Sequence, residues 1–412
     1  MIVTKTEILS QKIMKRPFVT LHQWTNLKMS FPNEETLKLA QKNGHYNSNV
    51  PLPVDVDVEY GDDGYHRTFL TIPRLSHGIP YSLAIITESN NTVLLNPRVE
   101  PYPNYYWHSS HGANCNNITS AIRTFIDDCW RLWIVDSGQI NSFQYCAPQI
   151  LAFDLSSDKL VHRYILPEYL YTPGVSVFTA LIVDIKMSNS KKMCEKPFIY
   201  VADPWGYGLI VYDAFAGKSW RVEHELMKPD KNLQKSNSAN NGIFTVNISP
   251  DGLNKGKRFL YFHALNSYKE IGVPLHVINN STNWFNKRYN GTNDFFVVGN
   301  RGTQCESETI DKNGNLYCSI INSNALIGWT QESVYSADTL QVLAYSPEQF
   351  KFITGLKINR NSENEEEMWA LSNDPKLFVG RPTKSGSTKY QIIGCRIADL
   401  LNKKHCTVGA NT

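Results

Sequence analysis

The chain has 412 residues, of which 42% are hydrophobic, 12% aromatic and 19% charged, and its formal net charge is +3. This charge is too small and too dispersed to predict binding to nucleic acid or to an anionic membrane surface. No run of about 18 apolar residues occurs, so we expect no membrane insertion. The length excludes most single-core domains, unless the chain is a closed array of repeats.

The N-terminus offers one predicted helix after an irregular start. We expect residues 1–20 to be a flexible extension, and residues 21–412 to form a single domain. No signal peptide is evident in Met1–Arg16, which carries charged and polar residues throughout and no apolar stretch of useful length. Helical periodicity is scarce in the chain, and Glu34–Lys42 is the best candidate for a helix.

Six short segments with an aromatic residue inside an apolar run recur along the chain. Their aromatic residues are Phe69, Trp133, Tyr200, Tyr261, Tyr317 and Trp369, at spacings of 64, 67, 61, 56 and 52 residues. Each is followed by a second strand-like run, at 81–86, 149–154, 208–213, 274–278, 325–329 and 390–395. Turn residues such as Pro204-Trp205-Gly206 separate the runs. Six strand–turn–strand units predict an all-β, six-bladed β-propeller, with paired β-sandwiches or a solenoid as the alternatives.

Two polar segments are expected outside the blades' cores. Lys228–Asn241 and Asn359–Glu367 are rich in polar or charged residues, which predicts loops with little order. The alternation Asp55-x-Asp57-x-Glu59 lacks the glycine of a calcium loop, so we expect it to form one face of an exposed strand.

The cysteines and glycosylation sequons together predict secretion. The eight cysteines form no C-x-x-C pair, so their even number indicates disulfides and an oxidising compartment rather than a zinc site. The sequons predict N-glycosylation at Asn90, Asn117, Asn247, Asn279, Asn280 and Asn290. Since no signal peptide is evident, a cytosolic location is the alternative.

Several long stretches resemble the insect Yellow and major royal jelly protein family, over roughly residues 20–406. They include 127–138, 206–213, 299–304, 325–329 and 369–373. The resemblance implies a secreted six-bladed propeller with disulfides Cys115–Cys129 and Cys146–Cys194. In the family, a cysteine of the fifth blade pairs with the one matching Cys406, but here that position reads Ile327-Gly328-Trp329. Three connectivities therefore remain for Cys305, Cys318, Cys395 and Cys406.

The resemblance also implies a ligand site, because salivary members of the family bind biogenic amines at the mouth of the central channel. By motif, Phe244 falls on the aromatic wall of that pocket, and Thr354 and Asn373 fall on its polar contacts. Core packing is the alternative for Phe244, and a turn-forming role is the alternative for Asn373. Two positions depart from the amine binders: Ile122 replaces a tyrosine and Pro375 replaces a phenylalanine.

The leading functional prediction is a secreted, glycosylated, monomeric propeller that binds a small aromatic or amine ligand without chemistry and without a cofactor. The first alternative is a dopachrome-converting isomerase of the melanin pathway, for which His108 and His111 could supply a general base or hold a metal. For both, a polar loop beside Cys115 is the simpler interpretation. His263 is expected to be a buried, hydrogen-bonded histidine of a blade strand. The second alternative is a structural or nutritional secreted protein.

Overall fold

The computed structural model describes residues 17–61, 66–88, 94–188, 191–233, 241–253, 256–285 and 293–409. No helix within these ranges is both long enough and apolar enough to cross a membrane. The helices are α1 (Glu34–Lys42), α2 (Leu275–Ile278), α3 (Thr282–Phe285) and α4 (Ile397–Leu401). Single-turn 3-10 helices span Tyr105–Trp107, Glu168–Leu170, Glu225–Met227, Lys231–Leu233 and Pro375–Val379.

The strands are numbered in chain order. The first half of the chain contains β1 (Val19–Trp24), β2 (Lys28–Met29), β3 (Asp55–Tyr60), β4 (His66–Thr71), β5 (Leu83–Glu88), β6 (Leu94–Leu95), β7 (Arg98–Pro101), β8 (Ala121–Ile126), β9 (Arg131–Asp136), β10 (Gln139–Ile140), β11 (Phe143–Gln144), β12 (Gln149–Asp154), β13 (Lys159–Ile165), β14 (Ala180–Asp184), β15 (Met187–Ser188) and β16 (Lys191–Lys192). The second half contains β17 (Phe198–Asp203), β18 (Gly208–Asp213), β19 (Lys218–Glu223), β20 (Ile243–Ile248), β21 (Phe259–Ala264), β22 (Lys269–Pro274), β23 (Phe296–Asn300), β24 (Cys305–Ile310), β25 (Leu316–Ile320), β26 (Ala325–Trp329), β27 (Tyr335–Ser336), β28 (Gln341–Tyr345), β29 (Ile353–Arg360), β30 (Glu366–Asn373) and β31 (Tyr390–Arg396).

The sheets form a six-bladed β-propeller, which confirms the predicted fold. The described residues fall into two compact units that hold three blades each. The terminal unit comprises residues 17–126, 132–165 and 343–409, and its sheets are β2-β7-β5-β4-β3, β13-β12-β9-β8 and β29-β30-β31-β1-β6. The middle unit comprises residues 127–131 and 166–342, and its sheets are β14-β17-β18-β19, β20-β21-β22-β23-β27 and β24-β25-β26-β28.

The repeated aromatic residues occupy the same place in every blade. All six lie in the second strand of their sheet, on β4, β9, β17, β21, β25 or β30, and all six are buried. Five of the six predicted second runs coincide with third strands. The exception is 274–278: the third strand is Lys269–Pro274, and α2 follows it. Pro274 precedes the first residue of α2, a position where its fixed φ and missing N–H disrupt nothing.

Both chain ends meet in one blade of the terminal unit. β1 pairs antiparallel with β31 and parallel with the short β6, so a strand from the N-terminal part of the chain extends the three strands β29, β30 and β31. This pairing covers a strand edge that an open sheet would expose. β1 starts at Val19, two residues ahead of the predicted domain start at residue 21.

Within each unit, the first strands of neighbouring blades contact one another. In the terminal unit β3 contacts β8 and β29, and in the middle unit β20 contacts β14 and β24. Gly355 of β29 permits one such approach, because a Cβ there would stand 2.8 Å from Oδ1 of Asp55. These first strands carry the polar residues described below.

Three local predictions can be compared directly with the structure. The helix Glu34–Lys42 is confirmed, and Oδ1 of Asn33 caps it by accepting from the N–H of Thr36 at 2.8 Å. The predicted loop at Asn359–Glu367 is wrong, because these residues form the tight hairpin between β29 and β30. Buried Asn361 organises its turn by accepting from the N–H groups of Glu363 and Glu365. Of the other predicted loop, residues 234–240 lie outside the described ranges.

Candidate functional site

An unpaired hydrogen-bond acceptor lies at the end of β30 in the terminal unit. Asn373 is the last residue of this strand and is fully buried. Its Nδ2 donates to the carbonyl oxygen of Pro53 at 3.0 Å and to Oγ1 of Thr354 at 2.9 Å. Because a carbonyl can only accept, the Pro53 contact fixes which end of the amide is nitrogen. Oδ1 is therefore the free acceptor, with no hydrogen-bond partner among the described residues.

Two aromatic residues lie on segments that adjoin Asn373 in the backbone. The backbone N–H of Asn373 donates to the carbonyl oxygen of Phe352 at 2.8 Å, and the Phe352 and Phe378 rings lie 5.0 Å apart between centroids. Phe378 is 39% exposed and belongs to the 3-10 helix Pro375–Val379. Residues i and i+3 lie on the same side of such a helix, so Phe378 shares a side with Pro375. Pro375 replaces the phenylalanine of the amine binders, and Phe378 supplies an aromatic ring on the same side of this short helix.

Opposite charges hold the strand that carries Thr354. Nη1 of Arg123 donates to the carbonyl oxygens of Thr354 at 2.6 Å and Val54 at 2.9 Å, and it lies 3.3 Å from Oδ1 of Asp55. The other carboxylate oxygen of Asp55 lies 3.4 Å from Nζ of Lys357. Two cations thus surround one carboxylate, so Asp55 is not an unpaired acid.

Asp57 bridges neighbouring first strands from a buried position. Its Oδ2 accepts from the N–H of Ile126 at 3.2 Å, and its Oδ1 accepts from Nδ2 of Asn359 at 3.0 Å. Burial raises the pKa of Asp57 to about 6, although the charge of Lys357 opposes the shift. The prediction of an exposed acidic face is wrong, because Asp55 and Asp57 are each 1% exposed. The alternation of acidic and apolar residues correctly predicts a strand. It does not reveal that the N–H groups of the neighbouring strand β8 need the carboxylates as hydrogen-bond acceptors.

A second polar group is buried in the middle unit and centres on His263 of β21. Nδ1 of His263 lies 3.0 Å from Oε2 of Glu270 and 3.5 Å from Oε2 of Glu308. Nη1 of Arg301 donates to Oε2 of Glu270 at 3.0 Å, and Nδ2 of Asn247 donates to Oε1 of Glu308 at 2.9 Å. Oε1 of Glu270 has no hydrogen-bond partner among the described residues. We call these five residues the His263 cluster.

The His263 cluster holds its protons in an unequal distribution. Burial and the neighbouring charge of Glu308 raise the pKa of Glu270. Burial acts to raise the pKa of Glu308 as well, but the charges of His263 and Arg301 outweigh it and lower that pKa. For His263, burial and Arg301 act to lower the pKa, and the two carboxylates outweigh them and raise it. Glu270, whose pKa is raised, and Glu308, whose pKa is lowered, therefore both lie beside the imidazole of His263.

A metal does not fit the His263 cluster. His263, Cys305 and Glu308 bring one potential ligand atom each within 4.8 Å of one another. Cys305 is disulfide-bonded to Cys318, so it offers no thiolate. The guanidinium of Arg301 lies on Glu270, where its charge opposes that of a metal ion. The donor set instead suits proton exchange or purely structural pairing.

With these sites described, comparison with known proteins identifies the family. The family model described as Major royal jelly protein matches residues 119–406.

The chain belongs to the major royal jelly protein family. It is 26% identical over 407 residues to dopaminechrome tautomerase of Drosophila melanogaster, covering 94% of this chain and 83% of that protein. It is 28% identical over 405 residues to protein yellow of Drosophila erecta, covering 95% and 71%. Among solved structures, virginiamycin B lyase from Staphylococcus aureus matches with a TM-score of 0.42 at 11% identity, over 79% of this chain and 78% of that one.

The disulfides of this royal jelly family member differ from the pairing that the resemblance implied. The bonds are Cys115–Cys146, Cys129–Cys194, Cys305–Cys318 and Cys395–Cys406. Cys115 precedes β8 and Cys129 follows it, so six strand residues, or roughly 20 Å, separate them. Cys129 and Cys194 both lie in connections from a first to a second strand, whereas Cys115 and Cys146 lie in connections at the opposite ends of those strands. The four bonds fit an extracellular protein.

The sequons differ in how accessible their asparagines are. Asn247 is a wrong prediction, because it is 3% exposed and its Nδ2, where a glycan would attach, donates to Glu308. Asn280 is exposed, and its Oδ1 accepts from Oγ1 of Thr282. Asn117 and Asn279 are half-buried and hydrogen-bonded to Tyr106 and Tyr200. Asn90 and Asn290 lie outside the described residues.

The ligand residues implied by the family belong to both units. Thr354 and Asn373 share a hydrogen bond, while Phe244 lies half-buried in the middle unit, where its carbonyl oxygen accepts from Oγ1 of Thr179 at 2.9 Å. Ile122, at the tyrosine position of amine binders, is 7% exposed. Phe378 was missed because family motifs point to position 375, and only the 3-10 geometry relates the two positions.

The two loop histidines have different surroundings. His108 is buried, with Nε2 2.8 Å from the carbonyl oxygen of Tyr102 and Nδ1 accepting from the N–H of Ser82 at 3.4 Å. Burial lowers its pKa to about 3. His108 therefore has no nitrogen left for a metal or for substrate, whereas His111 faces a cavity that is described below.

His263 is buried and hydrogen-bonded, as predicted, but its carboxylate partners were missed. The available signal was a glutamate inside a segment of strand length, although neither segment is apolar throughout. Glu270 stands in Lys269–Pro274, and Glu308 stands in Cys305–Ile310.

Proposed function

We propose that this royal jelly family member binds a small aromatic ligand carrying an amine, at the Thr354–Asn373 site of its terminal unit, without chemical conversion. The observation that carries the proposal is the buried Oδ1 of Asn373, which lacks a hydrogen-bond partner among the described residues. Leaving such an acceptor unpaired costs about 1–3 kcal/mol, and a ligand N–H donor recovers this free energy. Oγ1 of Thr354, 2.9 Å from Nδ2 of Asn373, adds a second polar contact.

The ring of the ligand is assigned to the Phe352–Phe378 pair. Offset or tilted aromatic contacts favour a third ring at similar distance, and an ammonium gains from an aromatic face. Asn373 is fully buried, so binding requires a local rearrangement beside it. Phe378, 39% exposed at the start of an irregular segment, is the neighbour with most room to move.

Isothermal titration calorimetry with dopamine, serotonin and tyramine tests this proposal. We expect saturable one-to-one binding of at least one amine, and a weaker affinity for Asn373→Ala. Asn116→Ala, at an exposed asparagine of the same unit, is the matched control. Absence of binding heat for every amine in the panel would overturn the proposal.

A second candidate function is tautomerisation of an aminochrome, which two observations favour. One relative is named dopaminechrome tautomerase, at 26% identity. The His263 cluster places a raised-pKa carboxyl beside an imidazole, the pairing that a proton shift between carbon and oxygen requires. In this reading ionised Glu308 accepts the carbon-bound proton, and Glu270 returns one to oxygen.

The tautomerase candidate is tested by the loss of aminochrome absorbance with purified protein. We expect a rate above that of heat-treated protein if the candidate holds, and a large loss of that rate in Glu270→Gln and His263→Asn. His276→Asn, at an exposed histidine of the same unit, is the control. A rate equal to that of heat-treated protein rules this candidate out and leaves the binding proposal untouched.

A further inference from the structure

A cavity of about 140 Å³ lies in the terminal unit, away from the elements that hold Thr354 and Asn373. Three histidines line it, His45 after α1, His77 in the turn before β5, and His111 in the loop before β8, together with Arg74 and Tyr145. The described lining contains no acidic residue. A site of one water needs about 10–15 Å³ by the same measure, so this cavity has room for a small ligand.

The rings of His45 and His111 stack face to face at the cavity wall. Their centroids are 3.7 Å apart and their planes differ by 20°. Nε2 of His111 is buried and has no hydrogen-bond partner among the described residues. His111 also adopts a left-handed backbone conformation, with φ of +46°, a region that histidine, like asparagine and aspartate, enters more often than other non-glycine residues.

A buried cation stands behind the histidines. Arg74 is 2% exposed, and its guanidinium donates to four carbonyl oxygens, those of Ile79, Thr119, Pro80 and His108, at 2.6–2.9 Å. It forms no ion pair with any described residue. Asp136 acts on it only from a distance, because the oxygens of that carboxylate accept from the N–H groups of Thr119 and Ser120. The charge of Arg74 is therefore not neutralised locally.

We propose that this cavity is a binding site for a small oxyanion, a carboxylate or a tetrahedral anion, held by His45 and His111 over Arg74. The buried positive charge of Arg74 attracts an anion. It repels a metal cation, which is therefore disfavoured at these histidines. His77 at the rim and the hydroxyl groups of Ser76 and Tyr145 supply further donors.

Binding should take up a proton. Burial, Arg74 and His77 lower the pKa of His45, and burial, Arg74, His45 and His108 lower the pKa of His111, so both rings are neutral near pH 7. A bound anion offsets these positive neighbours and raises the pKa of the ring that contacts it. Two stacked imidazolium rings would repel each other, so we expect one proton rather than two. Affinity should consequently increase as pH falls.

Isothermal titration calorimetry of the full chain with sulfate and, separately, with acetate tests the proposal. Both probes keep a constant charge between about pH 6 and about pH 8, so a pH dependence belongs to the protein. At fixed ionic strength we expect binding of at least one probe, about tenfold tighter at about pH 6 than at about pH 8, with proton uptake in buffers of different ionisation enthalpy. The preferred probe distinguishes a planar carboxylate from a tetrahedral anion.

Variants locate the site. We expect His111→Gln and His45→Gln to weaken binding at least about tenfold and to remove its pH dependence. His276→Gln and Asn373→Ala should leave binding unchanged, which separates this site from the amine site. Proton NMR of the wild-type histidines needs no variant, and the pKa values of His45 and His111 should rise on sulfate addition. No binding of either probe at about pH 6, or equal binding by His111→Gln and His276→Gln, overturns the proposal.

Discussion

The two buried polar regions of this propeller balance their charges in different ways. Around Thr354, the carboxylate of Asp55 faces both Arg123 and Lys357, and the one group left over is the neutral oxygen of Asn373. In the His263 cluster, two carboxylates face one imidazole and Arg301, and the group left over is a carboxyl oxygen of Glu270.

This difference separates a site suited to binding from one suited to proton transfer. A neutral acceptor in a charge-balanced environment gains a hydrogen bond from a ligand and changes no protonation state. A carboxyl with a raised pKa beside an imidazole can release or take up a proton near neutral pH. The comparison predicts that the middle unit depends on the His263 cluster for stability, and that the terminal unit depends on Asn373 for ligand affinity.

The largest expected effect is on stability in the middle unit. Arg301→Ala removes the ion pair with Glu270 and the donors to the carbonyl oxygens of Ser267 and Lys269. Removing one partner of a buried pair costs about 3–5 kcal/mol, because the remaining charge stays buried. We expect a lower urea midpoint than for Arg381→Ala, an exposed control. Equal midpoints for the two variants would show that the His263 cluster does not stabilise the fold.

The next effect compares the two regions through pH. The folded pKa of Asp57 is raised to about 6 from 3.8, so its contribution to stability is present below about pH 4 and is lost as pH rises through about 6. The raised pKa of Glu270 acts in the same direction. Asp57→Asn and Glu270→Gln should each flatten the decline of the unfolding free energy over this range, measured by urea titration. A slope as steep as that of the wild-type protein in both variants contradicts the assigned shifts.

A smaller effect is expected at the aromatic pair. Phe378→Ala should weaken amine binding by about tenfold or less, because an aromatic contact is worth about 0.5–1.5 kcal/mol. Phe378→Tyr should retain the affinity, since it keeps the ring. Calorimetry on both variants makes the measurement. Unchanged binding in Phe378→Ala would show that Phe378 does not contact the ring of the ligand. Phe244 would then be the remaining candidate for that contact.

The smallest effect concerns covalent modification and leaves stability unchanged. Mass spectrometry of protein expressed through a eukaryotic secretory pathway should find glycan at Asn280 and none at Asn247, because of the two only Asn280 is exposed. Peptides linked through Cys115–Cys146 and Cys129–Cys194 should appear in the same digest. A glycan on Asn247 is incompatible with the Asn247–Glu308 contact of the His263 cluster.

The fold could be predicted because each blade carries the same local pattern, an aromatic residue inside a short apolar run. Each of the aromatics from Phe69 to Trp369 marks a second strand, and burial of that ring follows from its apolar neighbours. In the fourth blade the sequence pattern was not sufficient. The short apolar run after Pro274 is compatible with a strand or a helix, and it forms a helix.

The site was less predictable because its contacts join distant parts of the chain. Asn373 and Thr354 were assigned from family motifs. That Oδ1 of Asn373 is unpaired among the described residues follows only from the structure, in which Nδ2 donates to the carbonyl oxygen of Pro53. Asp57 looked like a surface residue, since nothing local reveals that Ile126 of another blade needs an acceptor. The pairing Cys115–Cys129 that the family resemblance implied is also wrong, because these cysteines lie at opposite ends of β8.

The most direct test of the central claim is the dissociation constant of the preferred amine for wild-type protein and for Asn373→Ala, measured in parallel with Asn116→Ala. We predict saturable binding by the wild-type protein, an unchanged constant for Asn116→Ala, and a constant about tenfold to a hundredfold weaker for Asn373→Ala, equivalent to one lost hydrogen bond to a buried acceptor. Equal constants for all three proteins would contradict the assignment of the Thr354–Asn373 site.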